Sequence, residues 1–397
     1  MLGPGSFHFH LEIMDPEEMK EQSIEKVPNL EVAYLIHHLQ SVDDDPLAEK
    51  LKKMLEDNDM TPMYDRLCHT FSWCTPDNPR LSHMQLANMT TLFYLEGALF
   101  RAGDKAEKID WMLKKAEYYS KIGDKISALR TFEEAFKLSI PLGTLMDALF
   151  HVVRIGMFYL DYKLMHYKLH ILKGLMYHEV NWERRNRMKI YEGVYCISIR
   201  QFHTACYLFL DTISTFSSYE IMNYARFIRY TVYLSVMVLP RRSIKKKIIE
   251  NHRVRETLSS DPETESFLFS LYNCNYAEFF ITLAKIEHRL KTDHYFHMHY
   301  QYYIREMKII AYTQLLESYR SLSISNVAEN FGVSEEYIEK DISLFICSGR
   351  LCCQINRLTN TIETNRPDKK NRQFQLIIKQ GDLLLNRIQK LSRVIEI

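Results

Sequence analysis

Glycine and proline are scarce, at 12 and 11 in 397 residues, against ordinary shares of about 7% and 5%. Phosphate cradles and sharp turns at strand ends need glycine. Beyond the first five residues there is no G-x-G, and the chain has no G-x-x-x-x-G-K. This argues against a Walker-type ATPase or a dinucleotide-binding fold. No glycine falls between Gly193 and Gly332, which favours long helices over a sandwich with turns every 8–12 residues. Excess charge is lacking too: 51 Lys and Arg meet 50 Asp and Glu. No global field then draws the chain to nucleic acid or an anionic membrane. The longest apolar run, Tyr230–Leu239, is too short to span a bilayer. The first residues have neither a basic n-region nor a long apolar h-region, so no signal peptide is expected.

Eight cysteines stand at 68, 74, 196, 206, 274, 347, 352 and 353, with no C-x-x-C. They read as reduced thiols of a cytosolic or nuclear protein. The vicinal pair Cys352–Cys353 reads as two side chains on opposite faces of a strand, with redox activity as the alternative. What the chain has in quantity is aromatic: 25 Tyr and 21 Phe.

Residues 1–45 read as a loosely ordered arm, punctuated by Pro4, Pro16 and Pro28 and by the acidic run Asp43–Asp45, with one helix near Leu30–Leu39. Helices are expected at Pro46–Asn58 and Gln85–Phe100. From Trp111 a repeat emerges. Tyr118, Ile122, Ala128 and Phe132 have spacings of 4, 6 and 4, which return at Ile155, Tyr159, Met165 and Leu169 and again at Tyr195, Ile199, Ala205 and Phe209. The shifts, 37 and 40 residues, are those of helix–turn–helix solenoids. Lys121-Ile-Gly-Asp124 ends one helix on glycine and restarts on an aspartate cap. Stacked repeats present extended surfaces, so the pattern points to a scaffold.

Arg241–Lys247 (RRSIKKK) is a basic connector. A solvated helix start is its simplest reading; a nuclear-import signal or phosphate patch is the alternative. Residues 311–365 form a module of helix, short helix capped by Ser325, helix capped by Ser334, then a hairpin of Leu351–Asn356 and Thr361–Thr364. That order is a winged helix. The helix that would enter a DNA groove, Ser334–Cys347, carries Glu335, Glu336, Glu339 and Asp341 against Lys340. Phosphate affinity needs the opposite sign, so no nucleic-acid partner is expected. The hairpin instead offers a sheet edge for pairing with a neighbour.

From Asn371 to Ile397 one helix places Phe374, Ile377, Gly381, Leu384, Ile388, Leu391 and Ile395 at alternating spacings of 3 and 4. This is a heptad seam that wants partner helices. His294, His297 and His299 lie close in sequence, as do His8 and His10. No H-E-x-x-H is present, and neither pair of histidines has Ser and Asp at the positions a metalloprotease H-x-H motif requires. No metal, cofactor or catalytic group is expected.

Several stretches resemble the PCI-domain lid subunits of the 26S proteasome, in their non-ATPase regulatory subunit 6 branch. They are Lys115–Lys125 (KAEYYSKIGDK), Trp182–Lys189 (WERRNRMK), Phe209–Glu220 (FLDTISTFSSYE), Tyr302–Met307 (YYIREM), Gln314–Arg320 (QLLESYR), Glu363–Asp368 (ETNRPD), Lys379–Arg387 (KQGDLLLNR) and Lys390–Val394 (KLSRV). The resemblance covers roughly residues 50–75 and 111–397. It departs over the first 14 residues and over 76–110, where the family has a long, highly charged helix. It implies a mainly α fold: a right-handed, TPR-like helical-repeat solenoid at 46–190, a PCI domain at 191–367 that ends in the winged helix, and an assembly helix at 370–397. It implies no catalysis and a cytoplasmic and nuclear location. The implied partners are other PCI-domain lid subunits, the lid metalloprotease pair and the proteasome base ATPases. The implied contact residues are Phe374, Ile377, Leu384, Ile388, Leu391 and Ile395 in a helical bundle, and Leu351, Ile355 and Ile362 on the pairing edge. A scaffold of the cullin-deneddylating signalosome or of a translation-initiation complex is the alternative reading.

Overall fold

The computed structural model describes residues 26–41, 45–71, 78–177, 181–364 and 369–395. The chain before Lys26, Asp43 and Asp44, Cys74 with the start of its proline turn, and the break at 366–368 lie outside them. Contacts divide the chain into two units. One holds the residues up to Glu265 together with Lys285–Tyr302; the other holds Ser266–Ala284 and the chain from Tyr303 on.

The first unit is built from helix pairs. They begin with α1 (Leu30–Ser41), α2 (Asp45–Asp57), α3 (Thr61–Thr70) and α4 (Asn78–Arg101). The repeat follows in α5 (Lys105–Ile122) with α6 (Lys125–Phe136), α7 (Leu142–Phe158) with α8 (Tyr162–Leu175), and α9 (Trp182–Ser198) with α10 (Phe202–Thr212). Then come α11 (Tyr224–Val238), α12 (Arg241–Ile244) and α13 (His252–Ser259). The expected pairs are present, and their turns share one geometry. Gly123, Leu160 and Arg200 have φ of 90°, 52° and 66°. The next N–H in each case closes a bond to the carbonyl five residues back: Asp124 to Tyr119, Asp161 to Gly156 and Gln201 to Cys196, at 2.8–3.0 Å. These are left-handed helix stops of the kind glycine usually supplies. Asp124 and Asp161 then cap the following helices by accepting from the N–H groups of Ser127 and Leu164.

Successive turns are tied together. The Tyr159 hydroxyl donates to the Gly123 carbonyl at 2.6 Å, and the Lys125 ammonium donates to Asp161 at 2.6 Å. Between the tied turns lies a core of Ile109, Leu113, Ala116, Ala128, Phe132, Ala135, Ala148, Val152 and Ile155. In the middle repeat the volumes are exchanged. Gly156 takes the place of Tyr119 and Cys196, while Met165 takes that of Ala128 and Ala205. A Cβ on Gly156 would stand 2.7 Å from Met165 Cγ. The close approach survives because the small residue has changed helix.

The helix expected near Leu30–Leu39 within the arm is present as α1, and it is packed rather than loose. Leu30, Val32, Ala33, Tyr34 and Leu39 of α1 are buried. Tyr34 meets the rings of His294 and Tyr295 at 5.4 and 5.6 Å, with the Arg226 guanidinium 3.9 Å from its own ring centre. That apolar face outweighs the prolines and acidic run around it. The helix expected at Gln85–Phe100 is present within the 24-residue α4, which begins earlier, at Asn78.

α14 (Pro262–Tyr272), α15 (Tyr276–Thr292) and α16 (Tyr300–Leu316) precede the winged helix of the second unit. There β1 (Ser321–Ser323) leads into α17 (Ile324–Phe331) and α18 (Glu335–Cys347), followed by β2 (Cys353–Asn356) and β3 (Thr361–Thr364). Its core gathers Val327, Phe331, Ile338, Ile342 and Ile362. Phe331 lies 4.8–5.0 Å from the rings of Tyr276, Phe280 and Tyr312. α19 (Lys369–Ile395) ends the described chain.

Candidate assembly surfaces

The hairpin of the sequence reading is two strands of a three-stranded antiparallel sheet, ordered β1–β3–β2. Ile362 faces Leu322 on one side and Ile355 on the other. β3 is therefore the central strand, and the edge expected at Thr361–Thr364 is already paired. Among the described residues the free edges belong to β2 and to β1, a strand the sequence reading missed. Of the three expected edge residues, Ile355 alone stands on an edge strand. Leu351 and Ile362 are buried at 7% and 1% exposure and serve the unit's own core. The hairpin tip carries Leu358, which is fully exposed.

The caps also shift. Ser323, not Ser325, accepts from the N–H of Asn326 at the start of α17. The Ser325 hydroxyl donates to Glu335 at 2.7 Å. Ser334 occupies the cap position of α18 without a side-chain bond. Gly332 and Gly349, with φ of 66° and 69°, close α17 and α18 as the sequence indicates.

The acidic residues of α18 are partly neutralised within the unit. Asp341 accepts from the Lys308 ammonium and the Tyr312 hydroxyl, both at 3.1 Å, and Glu339 pairs with Arg357 at 2.7 Å. Burial pulls the Lys308 ammonium down, but Tyr337 and Asp341 outweigh it and hold it above its ordinary value. Arg350 pairs with Glu306. Cys353, the first residue of β2, is buried, while Cys352, just before the strand, is exposed. Burial, helped by the neighbouring Cys352, pushes the Cys353 thiol up to about 11.

On α19 the heptad seam faces solvent. Phe374, Ile377, Leu384, Ile388, Leu391 and Ile395 are each 58–74% exposed, and Leu383, Leu385 and Val394 broaden the stripe. Gly381 has no atom near the place of a Cβ. A second exposed stripe was not read from the sequence: Leu86, Met89, Phe93 and Phe100 on α4. Their spacing of 3, 4 and 7 was the available signal.

The histidines near 294 work on the backbone. His294 Nε2 lies 3.0 Å from the Met157 carbonyl at the end of α7, and His299 Nε2 lies 2.9 Å from the Ser198 carbonyl at the end of α9. His297 Nδ1 lies 2.9 Å from the His294 carbonyl. Burial, against the pull of the Met157 carbonyl, lowers His294 to about 4. It is thus neutral at pH 7, with one nitrogen donating to the helix end. Among the described residues no group of three or more His, Cys, Asp or Glu could hold a metal ion.

Known proteins match the chain in the same order as these parts. The family model for 26S proteasome subunit RPN7 matches residues 78–247, the PCI domain matches 283–366, and the RPN7/PSMD6 C-terminal helix matches 373–395. The 26S proteasome non-ATPase regulatory subunit 6 of Dictyostelium discoideum is 36% identical over 382 residues, 95% of this chain and 100% of that protein. Its Arabidopsis thaliana homologue is 39% identical over 354 residues, 88% of this chain and 91% of that protein. The Arabidopsis COP9 signalosome complex subunit 1 is 23% identical over 142 residues, 36% of this chain and 32% of that protein. Identity at that level over nearly the full length is decisive, and the chain belongs to the 26S proteasome non-ATPase regulatory subunit 6 (RPN7) family.

Proposed function

We propose that the chain is a non-catalytic scaffold of the 26S proteasome regulatory-particle lid, supporting ubiquitin-dependent protein degradation. The observation that carries this is the solvent-facing seam of α19. A 27-residue helix with six heptad positions exposed gains stability only when other helices cover it. The free edges of β1 and β2 supply a second mode of contact, strand addition by a neighbouring PCI domain. Partners of those two kinds are other PCI-domain lid subunits and the lid metalloprotease pair in the bundle. The base ATPases of the same particle are the remaining partners in this reading. The location that goes with this role is cytoplasmic and nuclear.

No nucleic-acid or membrane partner belongs to this reading. The α18 surface carries a formal charge of −3, and no described helix is long and apolar enough to cross a membrane. Affinity purification of the tagged chain with mass spectrometry tests the proposal. Lid and base subunits are the expected companions. A chain recovered alone would refute assembly, and recovery of the deneddylating complex would move the role to the signalosome.

A further inference from the structure

The turn from α13 into α14 reads Ser259-Ser260-Asp261-Pro262-Glu263-Thr264-Glu265. Ser260 has a carboxylate at the first, third and fifth positions after it, the spacing that acidophilic serine kinases read. It is exposed, and its hydroxyl donates to the Thr257 carbonyl at 2.6 Å. It lines a cleft of about 430 Å³ that also holds Arg229 of α11 and Arg289 of α15. Both guanidiniums converge on Asp261. Arg229 donates from Nε at 2.8 Å and Arg289 from Nη1 at 3.0 Å, while Glu263 meets Arg289 Nη2 at 2.6 Å. Among the described residues nothing bonds to the two terminal nitrogens of Arg229, whose side chain is 34% exposed.

We propose that Ser260 is a phosphorylation site for an acidophilic serine kinase, and that Arg229 and Arg289 take up the phosphate. Ser260 Oγ attacks the γ-phosphorus of a nucleoside triphosphate. The Oγ–P bond forms and the bond from that phosphorus to the β–γ bridging oxygen breaks. The nucleoside diphosphate leaves with the electron pair, and the hydroxyl proton passes to the kinase's base. The product carries a charge of about −1.5 to −2 and three acceptor oxygens. Before modification the cleft is balanced, two guanidiniums against Asp261 and Glu263. The new anion is therefore held by directed bonds from the open nitrogens of Arg229, a planar donor fork that fits phosphate, rather than by excess positive charge. The neighbouring hydroxyls fit less well. Ser259 has Pro262 at its third position and donates to the Glu256 carbonyl. Thr257 has Ser260 at its third position. Thr264 is fully buried and donates to Asp261.

The test treats the full chain with a recombinant acidophilic serine kinase and ATP, and maps the phosphate by tandem mass spectrometry. Wild type and S259A should carry it at Ser260, and S260A should lack that signal. A ³¹P NMR titration then reads the surroundings of the phosphate, assigned by its loss in S260A. The reference is a synthetic peptide of residues 256–265 phosphorylated on the same serine, which keeps Asp261 and Glu263 but has neither arginine. The second ionisation in the full chain should lie about 0.5 pH unit or more below that of the peptide, because a bonded cation favours the dianion. R229Q should remove most of that difference, and R229K, which keeps the cation, should retain more of it than R229Q. The comparison of wild type with the peptide needs no variant to fold. Absence of phosphate at Ser260, or a phosphate that titrates as it does in the peptide, overturns the proposal.

Discussion

Replacing Gly193 with alanine tests the close approach of α9 and α10. A Cβ there would stand 2.3 Å from Cε1 and 2.7 Å from Cδ1 of Phe209, where carbon atoms rest about 3.5–4.0 Å apart. The ring has no room to swing. Phe209 has no exposed surface, its centre lies 5.0 Å from that of Phe227, and Phe227 packs 4.7 Å from Phe216. Two effects oppose each other. Alanine gains about 1 kcal/mol over glycine inside a helix. Overpacking a filled core costs about 1–3 kcal/mol, and an overlap of roughly 1 Å belongs at the upper end of that range. The expected net loss is about 1–2 kcal/mol, which lowers the melting midpoint by about 1–3 °C in a chain of this length. Gly174→Ala on α8 is the control, because nothing lies within 4 Å of its Cβ position; it should hold or raise the midpoint. Adding Phe209→Leu to Gly193→Ala should recover part of the loss, a coupling expected of contacting residues. Calorimetry of the four proteins decides the matter. If Gly193→Ala melts at or above wild type, the packing argument for the third repeat fails.

Leu384→Asp on α19 should leave the chain's own melting within about 0.5 kcal/mol, as exposed sites do, yet remove it from co-purifying complexes, since a buried unpaired charge costs several kcal/mol. Retention in the complex would contradict the bundle role. Asp161→Ala removes both the cap of α8 and the tie to Lys125 and should cost about 1–2 kcal/mol. Asp161→Asn keeps the cap and should recover most of that in urea unfolding. Stability should fall as pH drops from 6.5 towards 4, because in that window the unfolded chain protonates His294 and the folded chain does not. The slope is up to ~1.4 kcal/mol per pH unit for each such histidine. His151, lowered by burial and then by Arg154, and His297, lowered by burial and then by His37, act in the same sense. Unfolding midpoints that are flat over this range, or unchanged in His294→Gln, would refute the assignment.

The helix pairs were legible because their signals are local. A stop, an aspartate cap and an apolar spacing recur within 40 residues, and the heptad seam of α19 needs no partner in the chain to be seen. What escaped the sequence was non-local or too short. β1 has three residues, Ser-Leu-Ser, too few for alternation to register, and its Ser323 doubles as the cap of α17. Missing β1 misplaced the cap at Ser325 and made β3 an edge. His294 and His299 bind carbonyls 137 and 101 residues away, a distance no local pattern spans. The α4 stripe shows as a surface only once burial is known, since its Met84, Asn88 and Leu95 pack inward beside it.

The scarcity of glycine takes a sharper meaning from the turns. Left-handed stops close α2, α5, α7, α9, α14, α17 and α18, at Asp59, Gly123, Leu160, Arg200, Cys274, Gly332 and Gly349. Glycine occupies three of these seven. Each of the others accepts a strain of about 1–2 kcal/mol, offset by the backbone bond that the following residue closes to the carbonyl five positions back. Positive φ alone therefore does not demand glycine in this fold. Gly123 differs in its surroundings. A Cβ there would meet Met63 Cγ at 2.8 Å and Met60 Cε at 3.4 Å, with the Tyr159 hydroxyl at 3.7 Å. Those groups belong to α3, to the residue before it and to the tie between successive turns. Among the stacked helix pairs glycine therefore persists at the turn that is both left-handed and crowded by its neighbours, whereas at Gly349, with nothing within 4 Å of its Cβ position, the left-handed turn is uncrowded.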